Sequence, residues 1–245
     1  MNKAPTEKDC RRETTRTAKK TRSCSSEPLY EATALILAGG KSRRFGRDKA
    51  LLRYEGRGIV AHLAAECAKV CREVLIVSDS GQKFSLPAAR EIADRYRDAG
   101  PMGGLQAGLA AARYDICLLM ACDMPFLSAE LMAVFLQNAA GRQLVLPQNG
   151  QDLEPMFGIY HRSLLPKVEA LLAAGRRSLL NLTKDADLLL LPPSVWQTTA
   201  AGREVFFNIN RTADYERLLR GEASHREQRE HKPFYDHFMR EETED

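Results

Sequence analysis

Apolar residues in this chain gather into short continuous runs instead of alternating with polar ones. The runs at residues 34–38, 74–77 and 116–121 are rich in Ala, Leu, Ile and Val, and a shorter one lies at 91–93. Runs of this kind predict strands buried on both faces. Between them, apolar positions recur every three to four residues over 59–71 and 104–113, and Ser128 opens a further such stretch reaching residue 139, with Glu130 in its first turn. These predict helices, the last capped by the serine hydroxyl. Buried strands separated by helices predict an α/β fold, a doubly wound and mostly parallel sheet covered on both faces. The second half is less regular. It predicts strands at 143–146, 156–160, 188–191 and 205–209 and helices at 163–174, 178–183 and 212–220. Pro192-Pro193 and the stretch around Gly202 punctuate it without marking a second domain.

The two ends differ from this body. Residues 1–30 carry eight basic groups against four acidic ones and almost no large apolar side chains, so they predict a disordered basic arm. Residues 221–245 carry four basic and eight acidic groups, with His225, His231 and His237 six apart, which fits no helical metal face and predicts a charged tail. One domain of normal size remains at 31–220. The tails cancel in the net charge of +4, which is too mild to imply nucleic acid as a partner. With no long apolar window and a charged N-terminus, the chain is expected to be cytoplasmic, without a membrane partner. Six cysteines with no export signal are expected to be free thiols, Cys67 and Cys71 lying at helical i,i+4 spacing.

Candidate chemistry concentrates where the strands end. Leu35 to Ala38 runs into Gly39-Gly40, and Lys41, Arg43, Arg44, Arg47 and Lys49 follow within ten residues. In an open parallel sheet a ligand binds at the carboxyl ends of the strands. Glycines let backbone N–H groups approach phosphate oxygens, and the cations bind the same anion, so this loop predicts a polyphosphate ligand. It is not a P-loop, because the glycine required five positions before Gly40 is Leu35, and no GxGxxG fingerprint occurs here or at 103–108. Asp123 directly follows the run at 116–121, placing a carboxylate at the same edge. There it can share Mg²⁺ with phosphate oxygens, or simply stabilise the turn before Pro125. Asp94 follows the weak run at 91–93 and precedes Gly100-Pro101-Met102-Gly103-Gly104. It is placed to accept hydrogen bonds from a ribose or a base edge, or to stabilise its own turn.

These segments, in this order, resemble the nucleotidyltransferases related to molybdenum cofactor guanylyltransferase. The resemblance runs from LILAGGKSRRFGRDKALL through Asp94 with Gly-Pro-Met-Gly-Gly, Cys-Asp-Met-Pro-Phe around Asp123 and Glu154-Pro155 to Phe207-Asn208-Ile209-Asn210, covering residues 33–219. Phe45 stands where the family has Met, Arg211-Thr212 where it has Thr-Pro, and Val77-Ser78 where some relatives carry an Asn that contacts the base. The resemblance implies transfer of GMP from GTP to molybdenum-loaded molybdopterin, giving the guanine dinucleotide cofactor and pyrophosphate. It further implies that the backbone of Leu37, Ala38 and Gly39 holds the nucleotide, Lys49 and Arg44 the phosphates, Asp94 the nucleoside and Asp123 the Mg²⁺. Arg176, Arg177, Asn208 and Asn210 are then candidates for the pterin, with Asn210 also within reach of the metal. Implied protein partners are molybdenum insertion proteins and recipient apo-molybdoenzymes. The alternatives are a cytidylyltransferase acting on the same pterin or another small phosphate, and a non-catalytic nucleotide-binding maturation partner.

Overall fold

The computed structural model describes residues 29–39, 49–54, 56–96, 98–150, 152–199 and 205–220. The expected basic arm, except for Leu29 and Tyr30, lies outside the described residues, as do the charged tail and Arg44; Tyr30, expected in the arm, instead opens the first strand by pairing with Cys71. The chain opens with β1 (Tyr30–Leu37), a one-turn 3-10 helix (Lys49–Leu51), a hairpin of β2 (Arg53–Tyr54) and β3 (Arg57–Gly58), and α1 (Ile59–Cys67). Then follow β4 (Cys71–Ser78), β5 (Arg90–Ala93), α2 (Pro101–Ala111), β6 (Ile116–Ala121) and α3 (Ala129–Gln137). The second half contains β7 (Leu144–Asn149), β8 (Asp152–Leu153), β9 (Phe157–His161), a 3-10 turn (Arg162–Leu164) and α4 (Leu165–Ala173). A 3-10 helix (Leu179–Thr183), β10 (Leu188–Leu191), α5 (Pro193–Trp196) and α6 (Thr212–Leu219) complete it.

The main sheet has the order β10-β7-β9-β6-β1-β4-β5, with β8 paired to β7. The pairs β5/β4, β4/β1, β1/β6 and β7/β10 are parallel, while β9 runs antiparallel to both neighbours. Its reversal follows from chain length. Only a short turn through β8 joins β7 to β9, and a parallel return needs a crossover of a dozen or more residues. The pleat of β1 sorts its side chains to two cores. Ala34 and Ile36 pack with α1 and α3 residues such as Leu63 and Phe135, whereas Leu35 and Leu37 pack with Met102 and Leu105 of α2 and Val168 of α4. The doubly wound, mostly parallel sheet is therefore as expected. Among the described residues, no helix is long and apolar enough to cross a membrane.

Three elements differ from expectation. The helix expected over 59–71 ends at Cys67, and Cys71 instead begins β4. Strand pairing starts at Tyr30↔Cys71, with the Tyr30 N–H donating to the Val70 carbonyl at 2.8 Å, so the sheet captures backbone that the apolar spacing assigned to the helix. The two cysteines thus share no helix face. Cys67, Cys71, Cys117 and Cys122 are free and buried, and burial pushes the thiols of Cys71 and Cys117 up to about 12. The expected strand at 205–209 is absent. Val205, Phe206 and Ile209 are buried, but the Ile209 N–H donates to the Asp123 carbonyl at 3.1 Å instead of joining a ladder. The helix expected at 178–183 takes the tighter 3-10 form.

Candidate active site

The strand order sets up the site. From β1 the chain moves outward to β4 and β5, then returns to place β6 on the other side of β1. The crevice outside the carboxyl ends of β1 and β6 is the switch point at which open α/β sheets bind ligands. Backbone bonds tie this edge together. The Ala38 N–H donates to the Val77 carbonyl at 2.8 Å, the Cys122 N–H to Leu37 at 3.1 Å, and the Ala121 N–H to Met156 at 3.1 Å. Leu37 and Ala38 are buried, so they offer backbone only, and Gly39 emerges exposed between the flanking strand ends. A Cβ on Gly39 would lie 2.8 Å from an Asp79 carboxylate oxygen. Lys49 opens the short helical turn that follows.

Asp94 lies at the end of β5, its N–H bonded to the Ser78 carbonyl at 2.9 Å. Its Oδ1 accepts the Tyr96 N–H at 2.8 Å, so one carboxylate oxygen organises the turn into α2 while the group remains half-buried. Gly103, in the first turn of α2, would bring a Cβ to 3.0 Å from that same oxygen. Burial raises the Asp94 carboxyl above its ordinary range; the Tyr96 N–H opposes this and the Asp79 charge adds to it.

Asp123 follows β6 and is half-buried. Glu154, in the bend between β8 and β9, is near enough to feel its charge. Burial pushes the Glu154 carboxyl up to about 7, with Asp123 and Asp152 adding repulsion and the Met156 N–H opposing them. The segment 207–210 passes the same point through the Ile209 to Asp123 bond, and the Asn208 side-chain oxygen is buried with no hydrogen-bond partner. Aromatic packing holds that segment in place: Phe207 lies 5.9 Å from Phe126, which lies 5.9 Å edge-on from Tyr54 of the β2/β3 hairpin. The Tyr215 hydroxyl of α6 pins the hairpin by accepting the Arg53 N–H at 3.2 Å and donating to the Arg53 carbonyl at 2.8 Å. Asn210 is exposed, and its N–H, with that of Arg211, donates to Asp214 and starts α6.

Of the sequence-predicted residues, Leu37, Ala38, Gly39, Asp94 and Asp123 therefore share one edge. The four pterin candidates do not stay together. Asn208 and Asn210 belong to the segment beside Asp123, on the α1/α3 side of the sheet. Arg176 donates to the Asn181 side chain at 2.8 Å and Arg177 to the Asp98 carbonyl at 3.0 Å, on the α2/α4 side next to the Asp94 loop. Sequence reasoning gave no role to Asp79 or Glu154, because each stands in a polar turn and only the fold brings it to the edge.

Comparison with known proteins agrees with the geometry. The model of the MobA-like NTP transferase domain matches residues 34–188. A probable molybdenum cofactor guanylyltransferase of Pelotomaculum thermopropionicum is 31% identical over 189 residues, covering 76% of this chain and 91% of the relative. One from Deinococcus radiodurans is 36% identical over 201 residues, covering 80% and 98%. Among solved structures, the molybdopterin-guanine dinucleotide biosynthesis protein A of Archaeoglobus fulgidus has the same fold, with a TM-score of 0.64 at 21% identity over 76% of this chain and 96% of that one. The 2-C-methyl-D-erythritol 4-phosphate cytidylyltransferase of Thermus thermophilus shares it at a TM-score of 0.59 and 20% identity, covering 79% and 98%.

Proposed function

We propose, from the premise that this chain belongs to the MobA-like NTP transferase domain family and is a nucleotidyltransferase, that it transfers GMP from GTP to molybdenum-loaded molybdopterin in the cytoplasm, with Mg²⁺. The observation that carries this reading is the edge itself, where the exposed Gly39 backbone lies between the carboxylates of Asp79 and Asp94 on one side and Asp123 on the other. The names of the relatives supply the acceptor and the base.

The chemistry asks little covalent work of the protein. A terminal phosphate oxygen of the pterin attacks the α-phosphorus, a P–O bond forms, and the bond to the β-phosphate breaks with its electrons leaving on pyrophosphate. Such a displacement needs in-line positioning and neutralised oxygens. Lys49, at the start of its helical turn, and Arg44 supply positive charge to the phosphates, and the backbone at Leu37 to Gly39 fixes the nucleotide against the sheet. The oxygen donors beside β6 suit a hard cation: the Asp123 carboxylate, the neighbouring Glu154, and the buried, unpartnered oxygen of Asn208. Among the described residues no three His, Cys, Asp or Glu side chains gather into a metal site, as suits an ion held by one or two carboxylates plus substrate phosphates. When bound, Mg²⁺ would neutralise charge developing on the phosphate oxygens. Asn208 and Asn210 lie on the acceptor side. Molybdenum insertion proteins and apo-molybdoenzymes are the partners this reaction would serve.

The test is pyrophosphate release by the purified protein with molybdenum-loaded molybdopterin, Mg²⁺ and GTP, CTP or ATP, with Asp123→Ala alongside. Release with GTP alone, lost in the variant while melting is unchanged, is the expected result. Release with CTP instead would replace the product, and no release with any nucleotide would overturn the reading.

A further inference from the structure

We propose that Tyr215 is a positioning residue for the transfer step, its hydroxyl clamping the β2/β3 hairpin so that an aromatic relay holds residues 207–210 beside Asp123. This rests on the guanylyltransferase reading above and adds to it the contact that keeps the acceptor side in place.

The hairpin cannot hold itself. Its strands pair only through Arg53↔Gly58 and Tyr54↔Arg57, and a two-stranded ribbon of this length is marginal at best in isolation. Its base is fixed by the Ile59 N–H, which donates to the Leu52 carbonyl at 2.8 Å. Its first strand is fixed by Tyr215, whose single hydroxyl accepts the Arg53 N–H at 3.2 Å and donates to the Arg53 carbonyl at 2.8 Å. A hydroxyl can do both at once because it carries one donor and two lone pairs. Arg53 and Tyr215 stand 162 residues apart in sequence, so the contact joins the two ends of the domain.

From the hairpin the restraint returns to Asp123 by two routes. Tyr54 stands edge-on to His62 of α1 and to Phe126, each at 5.9 Å between ring centres, and Phe126 lies 5.9 Å from Phe207. Phe126 is three residues beyond Asp123, and Phe207 adjoins Asn208, whose buried side-chain oxygen has no hydrogen-bond partner. The second route runs through α6 itself. Asp214, the neighbour of Tyr215, accepts the Asn210 and Arg211 N–H groups at 3.0 and 2.8 Å, while Leu218 anchors the helix in the core. The Ile209 N–H closes the ring on the Asp123 carbonyl at 3.1 Å. Cutting the Tyr215 bonds frees the hairpin, and with it the tyrosine that backs Phe126 and Phe207. Stability depends little on these bonds, because they lie at an exposed hairpin where water can replace the hydroxyl. Reaction geometry depends on them more, since a displacement of about 1 Å at the reacting groups can cost about 100-fold in rate.

The test compares the wild type with Tyr215→Phe, which keeps the ring and loses both bonds, and with Tyr54→Leu, which breaks the relay at its next link. Tyr215→Phe is expected to melt within about 4 °C of the wild type. With molybdenum-loaded molybdopterin as acceptor, its kcat should fall about 10- to 100-fold while KM for GTP stays within about twofold, because the nucleotide rests on the β1 edge. The two residues act in series, so the double variant should be no slower than the slower single one, whereas independent losses would multiply. Hydrogen exchange supplies a readout free of turnover: the Ile209 amide should exchange about tenfold faster in Tyr215→Phe, with the Ala38 amide unchanged. An unchanged kcat, or an Ile209 amide as protected as in the wild type, overturns the role of Tyr215 and leaves guanylyl transfer standing. Losses that multiply in the double variant overturn it equally. A wild-type protein that turns over no nucleotide fails the underlying reading itself, and Ile209 exchange then decides alone whether Tyr215 positions the segment.

Discussion

Helix α2 carries glycines where it crosses β1, and Gly108→Ala measures how closely the two are packed. Gly104 and Gly108 lie one helical turn apart, against Leu37 and Leu35, which lie two apart on the same face of β1. A Cβ at Gly108 would stand 2.6 Å from Leu35 Cδ1, 3.0 Å from Cδ2 and 3.2 Å from Cγ. Leu35 has no room to yield, being itself fully buried between its strand partners Leu75 and Leu119. Replacing glycine in a helix interior ordinarily stabilises by about 1 kcal/mol. Forcing an extra methyl into a filled core costs about 1–3 kcal/mol. The net expectation is a loss of about 1 kcal/mol, or roughly 2–4 °C in melting temperature for a chain of this size. Urea denaturation provides the free energy, and a double-mutant cycle with Leu35→Ala provides the cause. Leu35→Ala alone should cost about 2–5 kcal/mol, and in that background the added methyl should stabilise, reversing its sign. Gly108→Ala stabilising the wild type, or acting equally in both backgrounds, would refute the close approach.

Glu154 makes stability depend on pH. Its carboxyl is raised from 4.5 to about 7, so the stability it contributes is full below about 4.5 and is lost as pH rises through about 7. A shift of this size, discounted for partial exposure, is worth about 1–3 kcal/mol. In EDTA, the wild type should lose that much between pH 5 and 8 relative to Glu154→Gln, and parallel melting curves would contradict the assignment. At the opposite edge of the sheet, Glu73 is buried and accepts the Thr33 hydroxyl at 2.8 Å, the Arg113 N–H at 2.8 Å and the Arg90 guanidinium at 3.0 Å. Burial alone would raise its carboxyl, but these bonds outweigh burial and hold it below the ordinary range. Glu73→Ala should cost about 2 kcal/mol, less than a fully buried pair because the Arg90 guanidinium, and that of Arg113 at 3.5 Å from the carboxylate, can turn to water. Its turnover should equal that of the wild type, and a lost rate at unchanged stability would mean that the two edges communicate.

The first half of the fold was legible because parallel strands covered on both faces must be continuously apolar, and residues 116–121 and 34–37 could be little else. Apolar patterning misassigned 68–71 and 205–209. At 68–71 the apolar spacing is shared by a helix end and a strand start, and only the pairing of Tyr30 with Cys71 decides between them. At 205–209 burial was read correctly, but burial does not reveal whether the backbone bonds to a strand or, as here, to the carbonyl of Asp123. Among the site residues, Asp94 and Asp123 announced themselves by following apolar runs. Asp79 also follows one, yet in Ser78-Asp79-Ser80-Gly81 it reads as turn chemistry, and nothing local reports that β4 lies beside β1.

That adjacency is what turns a set of strand ends into a nucleotide site. In chain order the carboxylates run Asp79, Asp94, Asp123 and Glu154, all after the cation-rich loop. In space the sheet places that loop's origin at Gly39, with Asp79 and Asp94 on one side and Asp123 with Glu154 on the other. A ligand matching this alternation must be anionic in its middle and rich in hydrogen-bond donors at one end. Under the proposed reaction, its other end meets a second phosphate that shares a cation with Asp123. A nucleoside triphosphate approached from the β6 side by a phosphomonoester satisfies all three conditions. A dinucleotide carrying its pyrophosphate on a helix N-terminus does not, since the first turn of α2 begins with Pro101, which has no N–H, and packs Gly103 against Asp94.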